Sequence, residues 1–199
     1  MSSIKLTADS GGGTFEIKAP ASSANTRVLT LPDTGNLTLG GPYGKFASYA
    51  VIADQKSGSS DAGAFNNGAW RTRDLNTEIS DADNIVSIST NQFTLQAGSY
   101  LIEAIAPACQ VGGHQCRLYN ATDAATVQMG SAEFARSGSH SQTHSFVSAK
   151  VTISGAKAFE IQHRCATSRA DYGFGVGVSG SVNWGEGTVF CEVKIYKEA

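Results

Sequence analysis

The chain has 199 residues, of which only 16% are charged, and a net charge of −2. That length holds one ordinary domain and an appendage, while the absence of a basic stripe excludes nucleic acid, whose phosphates need clustered Lys and Arg. No apolar run reaches the ~18–20 residues of a membrane span, so no membrane insertion is expected, and 22 glycines among many Ser, Thr and Asn give the tone of a turn-rich β-protein.

The N-terminus, "MSSIKLTADS", lacks the apolar core of a secretory signal, so folding where the chain is made is expected. Residues 4–39 carry four apolar pairs at i and i+2: Ile4/Leu6, Phe15/Ile17, Leu29/Leu31 and Leu37/Leu39. Each reads as one face of a very short strand. Between them stand the turn signals "DSGGG", "APASSAN" and "PDTGN". Two apolar teeth per strand make a poor core for one chain. Gly40, Gly41, Pro42 and Gly44 mark a hinge, so residues 1–41 are expected as an N-terminal segment and 42–199 as the main domain.

After the hinge, strands are expected at 45–55, 69–76 and 85–89, and as two pieces over 91–109 joined at "QAGS". Residues 115–130 read as a hairpin turned by "NATD". In 144–154, Val147, Ala149, Val151 and Ile153 share one side, and in 158–166 so do Phe159, Ile161, His163 and Cys165. The last strand, 188–198, turns Val189, Cys191, Val193 and Ile195 inward and leaves Phe190 and Tyr196 on the other face. At least eight closely spaced strands without a helix argue for an all-β sandwich or barrel. A strand buried on one side should be polar on the other. Tyr49, Phe190 and Tyr196 break that rule, and an intersubunit contact is the simplest second surface for them.

The cysteines at 109, 116, 165 and 191 are best read as small buried apolar residues in a reducing compartment. "CQVGGHQC" could alternatively be a hairpin with facing thiols. Their spacing is not that of zinc knuckles, and no metal or other cofactor is expected. His140 and His144 at i, i+4 lie ~13 Å apart on a strand, too far for one ion. His163, mid-strand, reads as a hydrogen-bonded sandwich histidine. "SDADN" (80–84) and "NATD" (120–123) lack the ligand count of a calcium cage and read as turns. The sequons at 36–38 and 120–122 read as accidental without a secretory signal.

No catalytic elbow, zinc helix or phosphate loop is present, and no enzyme is expected. Glycoside cleavage needs two carboxylates ~5–9.5 Å apart, and Glu103 and Glu160 are the acids read within the middle strands. The G-x-G-x-G run at Gly173, Gly175 and Gly177 has no following helix, so it is no nucleotide loop. It sits in a long Gly-rich loop, 169–187, carrying Tyr172, Phe174 and Trp184. Those aromatics could form a recognition surface for sugar rings or a protein receptor, or could cap the open end of the sandwich. A second candidate surface is the turn-rich stretch 56–70, which carries Phe65 and Trp70, with residues 130–144 expected to project beside it.

Three stretches, "YAVIADQ", "FTLQAGSYLIEAIA" and "VFCEVKIYKE", make residues 45–198 resemble the jelly roll shared by tumour necrosis factor and the globular head of the first complement component. That resemblance implies a homotrimer with the C-terminal strand central in the inner sheet and near the three-fold contact. The pattern of residues 4–39 resembles the opening of many bacteriophage fibre and virion-attached proteins, in which short strands from three chains wind round one axis. Together they imply a phage structural protein, assembled in the host cytoplasm and resident in the virion. Residues 1–41 would be a trimeric β shaft or an anchor to other virion proteins, their apolar pairs buried against two other copies. Residues 42–199 would be a knob, with Tyr49, Phe190 and Tyr196 at the trimer axis and Tyr172, Phe174 and Trp184 displayed towards a host cell-surface glycan or protein. The alternative within this reading is a capsid decoration or head-fibre protein without receptor specificity.

Overall fold

The structure, a computed structural model, describes residues 3–7, 14–18, 46–58, 60–138, 141–177 and 187–198, the first two stretches as backbone. The chain divides into two compact units, Met1–Gly40 and Gly41–Ala199. In the first, β1 (Ser3–Thr7) and β2 (Thr14–Lys18) pair antiparallel. Their register sets Ile4 opposite Ile17 and Leu6 opposite Phe15, so the apolar positions meet two by two, as a period of 2 requires. Leu29, Leu31, Leu37, Leu39 and the hinge at 40–44 lie outside the described residues.

The second unit is all-β, with no helix among the described residues. Its strands are β3 (Phe46–Lys56), β4 (Arg71–Thr72), β5 (Thr77–Ser80), β6 (Val86–Ser89), β7 (Gln92–Leu95), β8 (Gly98–Cys109), β9 (Gly112–Asn120), β10 (Ala125–Ala135), β11 (Gln142–Ile153), β12 (Lys157–Cys165) and β13 (Thr188–Glu198). One sheet runs β11-β8-β13-β3-β5; the other runs β10-β9-β12-β7-β6, with β4 also on β12. The first long strand pairs with the last, and the seven long strands divide four and three between two antiparallel sheets, the second completed by the short β4, β6 and β7. This connectivity is a jelly roll. The C-terminal strand β13 lies between β8 and β3.

The core lies between the sheets. Phe93 and Phe159 stack at 5.7 Å, surrounded by Ile52, Ile102, Leu118, Ile161, Val193 and Ile195, all essentially inaccessible. A smaller cluster of Phe65, Ala108, Val111, Ala135 and Cys165 fills one end of the sandwich.

Four expectations need correction. "CQVGGHQC" is not a hairpin: β8 ends at Cys109 in one sheet and β9 begins at Gly112 in the other, the chain crossing at Gln110 (φ 58°) and Gly112 (φ 69°). All four thiols are buried and form no disulfide. The stretch 69–76 shrinks to a two-residue strand, while β5 escaped notice because Ile79, its one large apolar residue, is exposed at the sheet edge. Glu78, Glu133 and Glu192 are further strand acids, and Glu103 and Glu160 belong to opposite sheets. Finally, β13 carries a bulge between Val189 and Glu192. The extra residue reverses the expected facing: Val189 is exposed and Phe190 is buried.

Candidate functional site

The outward face of the five-stranded sheet breaks the usual polar alternation. Three cross-strand rows run from β11 to β3: Lys150–Leu101–Tyr196–Tyr49, Ser148–Glu103–Lys194–Val51 and Phe146–Ile105–Glu192–Ala53. Tyr49 is 57% exposed and Phe146 56%. A register shift beside Glu198 brings Phe46 to the Tyr196 ring, centroids 5.4 Å apart. Between the two aromatic ends lies a charged band, where Lys194 sits 3.4 Å from Glu192. A concavity of about 460 Å³ spans it, lined by Glu103, Ile105, Phe146, Ser148, Glu192 and Lys194. Exposed aromatic side chains thus flank a charged centre on this face.

Of the residues proposed for an axis, Tyr49 and Tyr196 lie on this face. Phe190 does not: it is 5% exposed and packs within its own chain against Gly175, where a Cβ would come within 2.6 Å of its ring. It has no surface to offer a second copy. Sequence reading missed Phe46, Leu101, Ile105 and Phe146. The signal for Phe146 was there: with Val147 and Ala149 inward on β11, strict alternation places it outward.

The Gly-rich loop is a stitch between chain segments. Phe65 and Arg169 exchange backbone hydrogen bonds at 2.8 and 2.9 Å. Gly173 passes so close to Phe65 and the Arg169 carbonyl that a Cβ would lie 2.6 and 2.8 Å from them. Gly177 approaches the Ser60 carbonyl equally closely and donates its N–H to Asp61 Oδ1 at 2.8 Å. The G-x-G-x-G pattern is thus explained by backbone approach. Phe174 stacks on Phe65 at 4.3 Å and lies under the Arg73 guanidinium at 4.2 Å. The Tyr172 hydroxyl donates to Gln110 Oε1 at 3.0 Å, with Arg169 over its ring. Both aromatics close the end of the sandwich; Trp184 lies outside the described residues.

Beneath this cap runs a buried polar string. Arg73 is fully buried, donating from Nη1 to the Pro107 carbonyl (2.9 Å) and from Nη2 to the Phe174 carbonyl (2.8 Å), with its Nε unpaired. Burial lowers its pKa. His163 Nε2 and His114 Nδ1 share one proton across 2.9 Å, and His114 Nε2 meets Thr143 Oγ1 at 2.7 Å. His163 is therefore the hydrogen-bonded sandwich histidine expected. Burial first, and the Arg73 charge next, hold it well below the ordinary imidazole range. Burial likewise brings His114 down to about 4, partly opposed by Glu133. Both rings are neutral at pH 7. The four thiols are pushed up by burial, Cys191 to about 12 and Cys165 to about 11, so none is a thiolate nucleophile at neutral pH.

The two suspected cation loops are turns. The Asp81 carboxylate accepts from the Ile85 and Val86 N–H groups at 2.9 and 3.0 Å. Asn120 and Asp123 bond each other at 2.9 and 3.0 Å. Among the described residues no group of three or more His, Cys, Asp or Glu converges for a metal. His140 lies outside them.

No protein-family pattern matches the chain, and no curated protein matches it. Among solved structures it is similar to the globular domain of the zebrafish complement 1qA protein, at 14% identity over 75% of this chain and 95% of that one, TM-score 0.47. It is also similar to PRD1 vertex protein P5 (10% identity, 78% and 100% covered, TM-score 0.49) and to Eiger TNF from S. frugiperda (11%, 76% and 92%, TM-score 0.46). At such identities and scores these are likenesses in the course of the chain and carry no function across.

Proposed function

We propose that this chain is a phage virion structural protein: a homotrimeric knob on a short shaft, without catalysis or cofactor, presenting its surface to a host cell. Residues 1–41 supply the shaft or the anchor to other virion proteins. The observation that carries the reading is the outward face of the five-stranded sheet. Its exposed Phe46, Tyr49 and Phe146 stand on one rigid sheet, Phe146 lining the concavity and the other two on β3 at the far side of the sheet, and copies of the same chain closing on one another are the simplest cover for them. Phe190 is replaced in this role by Phe146. The resemblance of residues 4–39 to virion-attached proteins adds the setting.

Two measurements on infected cultures test it. Antibody labelling of intact particles is expected to find the protein at the tail, and purified protein is expected to compete with infection. Labelling confined to the head, with no competition, replaces attachment by capsid decoration. Absence from purified particles removes the virion role altogether.

A further inference from the structure

The outward face of the six-stranded sheet holds a second constructed feature. On β9, Gln115, Arg117 and Tyr119 point outward between buried His114, Cys116, Leu118 and Asn120. On β12, Gln162 stands opposite Arg117, and Arg164 opposite Gln115. Trp70, from the loop before β4, lies across these rows. The Arg117 guanidinium sits 4.2 Å from its ring centroid and 4.6 Å from that of Tyr119. Arg117 is itself held: Nη2 and Nε donate to Gln162 Oε1 at 2.6 and 3.0 Å, and Nη1 to Thr126 Oγ1 at 2.7 Å. The indole is thereby fixed in one orientation. It borders a shallow concavity of about 430 Å³ walled by Gln115, Glu133 and Arg164, with Gly113 and Ala132 also lining it.

We propose that this concavity binds a neutral, hydroxyl-rich saccharide, one pyranose ring lying against Trp70 and its hydroxyls meeting Gln115, Glu133 and Arg164. A pyranose presents an apolar C–H face that matches an aromatic side chain, ringed by hydroxyls that both donate and accept. The walls supply both kinds of partner. Arg164 only donates, and its side chain has no partner among the described residues. Glu133 only accepts, already positioned by Ser131 Oγ at 3.0 Å. Gln115 donates to the Gly130 carbonyl at 2.7 Å, which fixes its amide and presents Oε1 as an acceptor.

The ordering cost of Gln115 and Glu133 is thus met before the ligand arrives, while Arg164 is ordered on binding. Arg164 and Glu133 cancel in charge, which favours a neutral ligand over a polyanion. The volume lies in the range of small-ligand sites. The proposal deepens the attachment reading and rests on it only for the source of the saccharide.

The test uses the full chain with Trp70→Ala, Arg164→Ala and the double variant, screened on a printed array of neutral hexose and N-acetylhexosamine oligosaccharides. The strongest binder is then titrated by calorimetry. Saturable binding is expected, weakened about tenfold or more by each single change. Arg164 is exposed, so its variant should keep the wild-type circular dichroism and melting point and stand as control for folding. Binding to no neutral sugar, to acidic sugars alone, or equally by wild type and double variant overturns the proposal. Adsorption to host cells separates the two readings. A double variant that adsorbs like wild type leaves attachment standing and removes this groove, whereas array binding that persists without any adsorption does the reverse.

Discussion

Acidification from pH 7 to pH 5 should destabilise this fold through its buried histidine pair, and the size of the effect follows from the site. An imidazole in the unfolded chain titrates near 6.5, whereas burial holds His114 near about 4. Between those values the unfolded chain binds a proton that the folded chain refuses, so stability is full above about pH 6.5 and falls as pH drops towards 4. For His114 alone the loss between pH 7 and pH 5 is about 2 kcal/mol, or ~4–8 °C in melting point for a chain of this size. The groups facing the pair, Arg73, His144 and Glu133, do not reverse the sign, because Arg73 and His144 oppose protonation and only Glu133 favours it. The assay is urea unfolding at fixed protein concentration at half-unit steps of pH, on wild type and His114→Asn. Asparagine keeps a polar group towards His163 and removes the titration. The variant is expected to be less stable at pH 7 but flatter in pH dependence by about 2 kcal/mol over this interval. Equal slopes in the two proteins would show that burial does not keep His114 neutral.

Other expectations concern packing. Phe190→Ala should cost ~3–5 kcal/mol of stability and leave the oligomeric mass unchanged, because its side chain is buried within one chain; a change of mass at unchanged stability would return it to an interface. Gly173→Ala should cost ~1–3 kcal/mol by overpacking against Phe65 and the Arg169 carbonyl, read as a lowered urea midpoint; a neutral result would mean the loop does not hold this close approach. Phe174→Ala should lower the melting point by stripping the stack from Phe65 and the cover from Arg73, whether or not host adsorption changes.

Much of the architecture was legible because a period of 2 is hard to mistake where one face is dry. Val147, Ala149, Phe159, Ile161 and Val193 sit inward as their alternation requires. What failed were places where a single backbone event overrides the period. The bulge near residue 190 exchanged the facing of Val189 and Phe190, and no side chain announces it. The sheet change at Gln110–Gly112 imitates a hairpin because turn residues serve either geometry. Arg73 gave no sign of burial, since an arginine next to an aspartate in "RTRDLN" is ordinarily solvated. The Tyr172 and Phe174 pair was read as display or cap, and only their contacts with Gln110, Phe65 and Arg73 decide for the cap. Trp70 and the 130–144 stretch that holds Glu133 were legible as neighbouring candidates, but Gln115 and Arg164 were not, because the groove joins a loop to three strands of one sheet, a convergence that spacing along the chain does not reveal.

The most direct measurement is the mass of the folded full chain in dilute solution, by sedimentation equilibrium, beside a Tyr49→Glu, Phe146→Glu variant. The wild type is expected at three-chain mass, and the variant, folded by circular dichroism, is expected to dissociate. A folded wild type at one-chain mass across the concentration range would contradict the assembly that the outward face of the five-stranded sheet is proposed to serve.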